Sequence, residues 1–277
     1  MTDLVAVPRL QREGLTYRIL LRAIAGFAIL LLLAPIVVVL LVSLTSGLAL
    51  KFPPPGFSLR WYAALFDSAQ SRPIQRAALH SFEIAVSATV VAAVLGTMAA
   101  LAIGRSRSAW ARALDILFVM PLVVPSLAYG LAALMYFTLL GFGGSLPLIV
   151  IGHVIIVVPF IIRTTSAGLS QLDANLLDSS ASLGAGAFFT FRRVTLPIIA
   201  PGIAAGAFIG FMASFDNVPV SLFLSDARTE VLPMRMWGML QTNLDVRTAA
   251  VSGLITITAL TLLMVMDRLF GLDRQLR

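Results

Sequence analysis

Between Asp115 and Arg163 the chain contains no aspartate, glutamate, lysine or arginine. As one helix this interval would run ~70 Å at ~1.5 Å per residue, more than twice the ~30 Å hydrocarbon thickness of a bilayer. It therefore reads as a hairpin of two membrane spans, with the turn at Gly141-Phe142-Gly143-Gly144-Ser145. The same reading extends along the chain. Ala23 to Val42 is charge-free and long enough to span a bilayer, and it is too long for a signal-peptide core. A second charge-free interval, Ile84 to Gly104, lies between Glu83 and Arg105. Six spans are expected, at about 23–43, 80–104, 114–138, 146–166, 198–224 and 248–267, with a segment 1–22 before them and a tail 269–277 after.

Composition agrees with an all-α membrane protein. Of 277 residues 59% are hydrophobic and 12% charged, about half the charge of an ordinary soluble domain. The net charge of +7 does not imply nucleic acid, because the basic residues form no patch or aromatic-interleaved stripe and sit between apolar runs. With both termini on one side, that side holds 13 of the 20 basic residues, and the positive-inside rule makes it the cytoplasm. No cysteine is present and the only histidines are His80 and His153, so thiolate metal sites and disulfides are excluded. The single lysine, Lys51, lies in Leu-Lys-Phe-Pro. A phosphate-binding Gly-x-x-x-x-Gly-Lys-Ser/Thr loop is thus absent, and any ATP must be bound by another subunit.

Small residues repeat every four positions at Gly202, Gly206 and Gly210, and at Ala92, Gly96, Ala100 and Gly104. Such rows let helices approach closely in lipid, either inside the bundle or at a subunit contact. Pro121, Pro125, Pro159 and Pro219 interrupt spans and are expected to kink them.

Residues 167–197, between spans four and five, are too long for a plain connector. Leu169, Leu172, Leu176, Leu177 and Leu183 follow a helical spacing, Gly184 offers a turn, and a second helix is expected from about Ala187 into the membrane past Pro197. A short helix held on a stalk can dock onto a partner or lie flat on lipid. The absence of Lys and Arg from Ala167 to Phe191 disfavours lipid.

Within this loop, Asp178-Ser179-Ser180, three residues, Gly184, nine residues and Val194-Thr195-Leu196-Pro197 resemble the EAA motif of ABC importer permeases. The spacing matches throughout. Asp178 stands for Glu, Ser179 and Ser180 for two alanines, and Val194 for Ile. FSLRWYAALF (57–66), SFDNVPVSLF (214–223) and Leu232-Pro233 are similar to the spermidine/putrescine branch, so the resemblance runs along essentially the whole chain. It implies a type I importer permease fold in a bacterial inner membrane, with a cytoplasmic coupling helix between spans four and five. The coupling residues it marks are Asp178, Ser179, Ser180, Leu183, Gly184, Ala185, Val194, Leu196 and Pro197. It also implies a cytoplasmic ATPase dimer, a second and non-identical permease, a periplasmic solute-binding protein and a small-molecule substrate, either a polyamine or another small organic solute.

Asp216 is the ionisable residue most deeply placed in a span, at an insertion cost of roughly 2.5–3.5 kcal/mol for a helix centre. With Phe211, Phe215 and Asn217 it either lines a path for a cationic solute, or pairs internally or lies at the outer interface. Glu83 is expected at the interface, and His153 in a hydrogen bond to a neighbouring helix. The outer loops 45–77 and 225–246 carry Lys51, Arg60, Arg72, Arg76, Asp226, Arg228, Glu230 and Arg235, which either face a binding protein or are simply solvated. Two other classes of membrane protein would leave different marks in the sequence. An ion-driven secondary transporter normally shows internal repeats and several intramembrane charges; an intramembrane hydrolase would need Ser126 or Ser214 with His153.

Overall fold

A computed structural model describes residues 15–106, 108–226 and 228–270. The expected terminal segments beyond these limits, with Arg9, Arg12, Arg274 and Arg277, and the loop residue Arg107, lie outside the described residues. The elements are helical: α1 (Leu15–Ser43), α2 (Arg60–Phe66), α3 (Ser68–Arg105), α4 (Ala109–Val119), α5 (Ser126–Leu139), α6 (Leu146–Leu169), α7 (Ala174–Ser182), α8 (Ala187–Thr190), α9 (Leu196–Phe215), α10 (Val218–Leu224), α11 (Leu232–Asn243) and α12 (Arg247–Phe270). Among the described residues five helices are long and apolar enough to cross a membrane, and six spans result if the bent pair α4–α5 is taken as one.

The chain divides into two compact units, one formed by residues up to Ala63 together with Asp245–Thr256, the other by Ala64–Leu244 and the residues from Ile257. In the first unit, α1 exposes apolar side chains from Ile19 to Val38, as a helix facing lipid should. Pro35 sits inside it without ending it. The loop after α1 folds on its own carbonyls: Arg60 Nη2 and Trp61 Nε1 both donate to Gly47 O, at 3.0 and 3.1 Å. Ser43 Oγ lies 2.7 Å from the Tyr62 hydroxyl, and a β-carbon at Gly253 would strike both groups.

The second unit is built on α6. Buried Ala92 and Ala100 of α3 pack with Val157, Val158, Ile161 and Ile162 of α6. A β-carbon at Gly96 would stand 2.8 Å from Ile161 Cβ, and one at Gly202 2.5 Å from Thr164 O. Gly206 faces Thr164 and Ile161, and Gly210 faces Val157. Both small-residue ladders therefore pack within the chain, against α6 from two sides. A second core joins Ile84, Ile149, Val220, Leu224 and Val231.

The boundaries depart from the expected ones where backbone chemistry intervenes. A short helical turn from Ser68, capped by the Asp67 carboxylate on Ala69 N, leads through non-helical geometry at Ser71 (φ/ψ −127/15°) into the helix of span two. The expected span 114–138 is not one helix. It is α4 with a 3-10 turn to Leu122, then α5, turned by 103°. Pro121 and Pro125 lack the N–H groups that would continue the helical hydrogen bonds. The expected span 198–224 is not one helix either: the membrane-length run is Ala187–Phe215. α9 ends at Phe215, Asp216 and Asn217 leave helical geometry (φ/ψ −96/7° and −78/90°), and α10 follows. Pro219 is thus not a kink: it lies in the first turn of α10, where no N–H is needed. Pro159 leaves α6 continuous.

The short α10 is socketed by glycines. A β-carbon at Gly130 of α5 would meet Phe223 Cδ2 at 2.8 Å and Pro219 O at 2.9 Å, and one at Gly152 of α6 would meet Leu224 and Val220 at 2.8 and 2.9 Å. The helices that follow the two breaks, α5 and α10, thus rest on one another. α11 is tied to α3 through Leu232 N, which donates to Ser81 Oγ at 2.9 Å.

Candidate functional site

Two places in the second unit hold the residues singled out from the sequence. The first is the segment after α6. Leu169 belongs to α6 and Leu172 to the turn that follows, so they are not part of the short helix as their spacing suggested; Asp173 stops that run and caps α7, accepting from Asn175 N at 2.9 Å. α7 carries Asp178, Ser179 and Ser180, of which Asp178 and Ser179 are exposed. Leu183 is its C-cap and is 88% exposed.

Gly184 then has φ +78°. Its N–H donates to Ala181 O at 2.9 Å, and Ala185 N–H to Ser180 O at 3.1 Å. This closes the last carbonyls of α7 in the left-handed manner that suits glycine. The chain re-enters helix at Ala187, and α8, a π turn over Phe191–Thr195 and α9 follow without a gap. Val194 lies in the π turn, and Leu196 and Pro197 open α9, where the proline occupies the first turn.

Two features here were missed from the sequence. Ser180 Oγ lies 2.8 Å from Thr190 Oγ1, tying α7 to the stalk. Phe188 and Phe189 are 75% and 58% exposed, as is Leu183 at 88%. The Phe-Phe pair three residues after Gly184-Ala185 was the available signal.

The second place is the break in span five. Asp216 is exposed at the end of α9, and Asn217 caps α10, its Oδ1 accepting from Val220 N at 3.0 Å. Phe211 and Phe215 pack with centroids 5.9 Å apart and planes tilted by 31°, and Phe82 of α3 meets Phe211 edge-on at 6.1 Å. Phe82 was not singled out from the sequence, because pairing over this separation leaves no local pattern. Glu83 beside it is exposed.

His153 is buried, with Ser214 Oγ 2.7 Å from its Nδ1 and Ser221 Oγ 3.1 Å from its Nε2. Ser214 and His153 are thus brought together, but a second serine stands where a triad would place a carboxylate, and both groups are closed off from a substrate. Ser126 begins α5 and is exposed. Arg163 pairs with Asp115 at 3.1 Å, joining α6 to α4. No group of three or more His, Asp or Glu able to hold a metal occurs among the described residues. In the loop before α11, the Thr229 hydroxyl and the Arg228 N–H hold the Asp226 carboxyl below the usual carboxylate range.

Among the described residues the chain is helical and rich in membrane-length apolar helices; the short helices α5 and α10, each following a break, pack on one another, and the exposed α7 precedes the stalk that runs into α9. Residues 92–272 match the family of binding-protein-dependent transport system inner membrane components, and the chain belongs to that family. It is similar to the spermidine/putrescine transport system permease protein PotC of Haemophilus influenzae, 27% identical over 76% of this chain and 80% of that one. It is also similar to the putrescine transport system permease protein PotI of Escherichia coli K12, 29% identical over 72% of this chain and 73% of that one. In fold it resembles a chain of a bacterial alginate ABC transporter solved in complex with an alginate pentasaccharide-bound periplasmic protein. The TM-score is 0.66 at 16% identity, covering 92% of this chain and 93% of that one. The fold is that of a type I ABC importer permease, and the chain is a multi-pass inner-membrane transport subunit.

Proposed function

We propose that this permease forms one half of the path of an ATP-driven importer for a polyamine-like organic cation. α7 couples that path to a separate ATPase dimer. A sister permease completes the path, and a periplasmic solute-binding protein delivers the substrate. ATP is bound by the partner, since this chain has no lysine outside Lys51 and no phosphate loop. The termini and α7 face the cytoplasm, as the distribution of arginine favours.

The observation that carries the coupling role is α7 itself: nine residues, ended by a left-handed glycine and followed by exposed Leu183, Phe188 and Phe189. Exposed apolar side chains at the tip of a stalk suit burial in a partner's cleft. Co-purification of an ATPase subunit with this chain, lost on changing Leu183 and Phe188 to aspartate, tests it; retention of the ATPase by that variant would count against α7 as the docking element.

The substrate class is supported by the names of the two relatives and by the chemistry at the break. A carboxylate at Asp216 attracts an ammonium group, and the faces of Phe211 and Phe215 suit both cations and methylene chains. Asp216→Asn is expected to lower uptake efficiency for putrescine about tenfold, ~1.4 kcal/mol, without changing the amount of assembled transporter. Unchanged uptake kinetics would remove Asp216 from the path.

A further inference from the structure

The geometry points to His153 as the pin that holds α9 and α10 as two separate helices across the break at Asp216–Asn217. One imidazole reaches both sides of the break: Ser214 in the last turn of α9, at 2.7 Å from Nδ1, and Ser221 in α10, at 3.1 Å from Nε2. A neutral imidazole offers one donor and one acceptor, so one serine accepts from the ring N–H and the other donates to the bare nitrogen. All three residues are buried, with exposures of 2%, 3% and 1%. No water is needed to complete the set, and removing the ring would strand two hydroxyls.

In an unbroken helix Ser214 and Ser221 would lie on one face two turns apart, with ~10.5 Å of rise between them. One ring and two hydrogen bonds do not comfortably span that length. The departure of Asp216 and Asn217 from helical geometry lets a single side chain of α6 close the distance. The remaining constraints act on the same elements. Asn217 caps α10, Ser145 N donates to Leu224 O at 3.0 Å, and Gly152, next to His153, lets α10 approach α6. His153 is therefore a positioning residue: it fixes the turn that presents Asp216 and Asn217. Its consequence for transport rests on the proposed path at Asp216, whereas the geometry of the break does not.

The chain has no cysteine, so labels can be placed cleanly. Spin labels at Ile209→Cys and Leu222→Cys, both exposed positions, bracket the break in the full transporter assembled with its partner subunits in lipid nanodiscs. With His153 present the label-to-label distance distribution is expected to be narrow. His153→Leu is expected to broaden it and move it toward the ~20 Å rise of thirteen residues of continuous helix, with about tenfold lower uptake. His153→Gln keeps one donor and one acceptor and is expected to restore most of both. Ser214→Ala with Ser221→Ala removes the partners and leaves the ring in place; it is expected to reproduce the altered distances, and it carries the test if His153→Leu fails to assemble. An unchanged distribution in assembled His153→Leu or in the double serine variant would overturn the pin. Altered distances with full uptake would uphold the pin and count instead against the proposed path.

Discussion

Gly184→Trp is expected to abolish coupled uptake while leaving membrane insertion intact. Gly184 adopts φ +78°, a conformation that costs a residue with a β-carbon roughly 1–2 kcal/mol. The cost falls on a nine-residue helix, too short to be stable on its own propensity. No atom lies within 4 Å of the site of a new β-carbon, so the substitution meets no packing obstacle within the chain. Its effect must come from the strained turn and from an indole added beside Leu183, where the ATPase is proposed to sit. Gly184→Ala separates the two: it carries the backbone cost without the bulk, and a smaller loss is expected. Uptake by cells matched for membrane expression measures both. Normal coupled uptake in a well-expressed Gly184→Trp variant would remove α7 from the docking role.

Gly206→Leu is expected to have the largest effect on folding. A β-carbon there strikes Thr164 and lies 3.0 Å from Ile161 Cα and 3.1 Å from Phe160 O. Backbone atoms cannot rotate away, so α9 must separate from α6, and with it the contacts that Gly202 and Gly210 make on the same face. Overpacking costs typically 1–3 kcal/mol, and a branched side chain wedged against a helix backbone belongs at the upper end. Where lipid supplies no hydrophobic drive, close packing is much of what holds helices together. The monodisperse fraction in detergent after a heat step should fall sharply. Gly26→Leu is the control: Gly26 lies in α1 with nothing within 4 Å of a new β-carbon, and it should be neutral. Equal stability of the two variants would contradict the α6–α9 packing.

The spans were legible because a charge in hydrocarbon is costly, so gaps between charges measure the membrane. The Gly141–Ser145 turn could be placed because no bilayer accommodates ~70 Å of helix. What hydropathy could not register was the breaks. Pro121 and Pro125 announced a disturbance, but a 103° turn depends on α5 finding its seat against Pro219 and Phe223 through Gly130. The break at Asp216 is marked in the sequence by Asn217 as a helix cap and Pro219 in the first turn of α10, but a proline inside an apolar run reads equally as a kink. What holds α10 to α6, the ring of His153 shared by Ser214 and Ser221 across 61 and 68 residues of sequence, leaves no local pattern.

Near Gly184 the outcome was mixed. The glycine turn and the restart of helix at Ala187 follow from local chemistry. Leucine spacing drew the short helix too long, since Asp173 caps α7 after Leu169 and Leu172 have passed. Phe82 escaped because its partner Phe211 lies on another helix. The ladders at Ala92–Gly104 and Gly202–Gly210 were plain in the sequence, whereas their common partner, α6, was not.

Uptake of radiolabelled putrescine and spermidine into proteoliposomes holding the assembled transporter, with the solute-binding protein outside and ATP inside, tests the central claim most directly. Saturable uptake that requires ATP hydrolysis, and that is lost on Gly184→Trp, is the expected result. Uptake that proceeds without the ATPase subunit and follows an imposed ion gradient would contradict it.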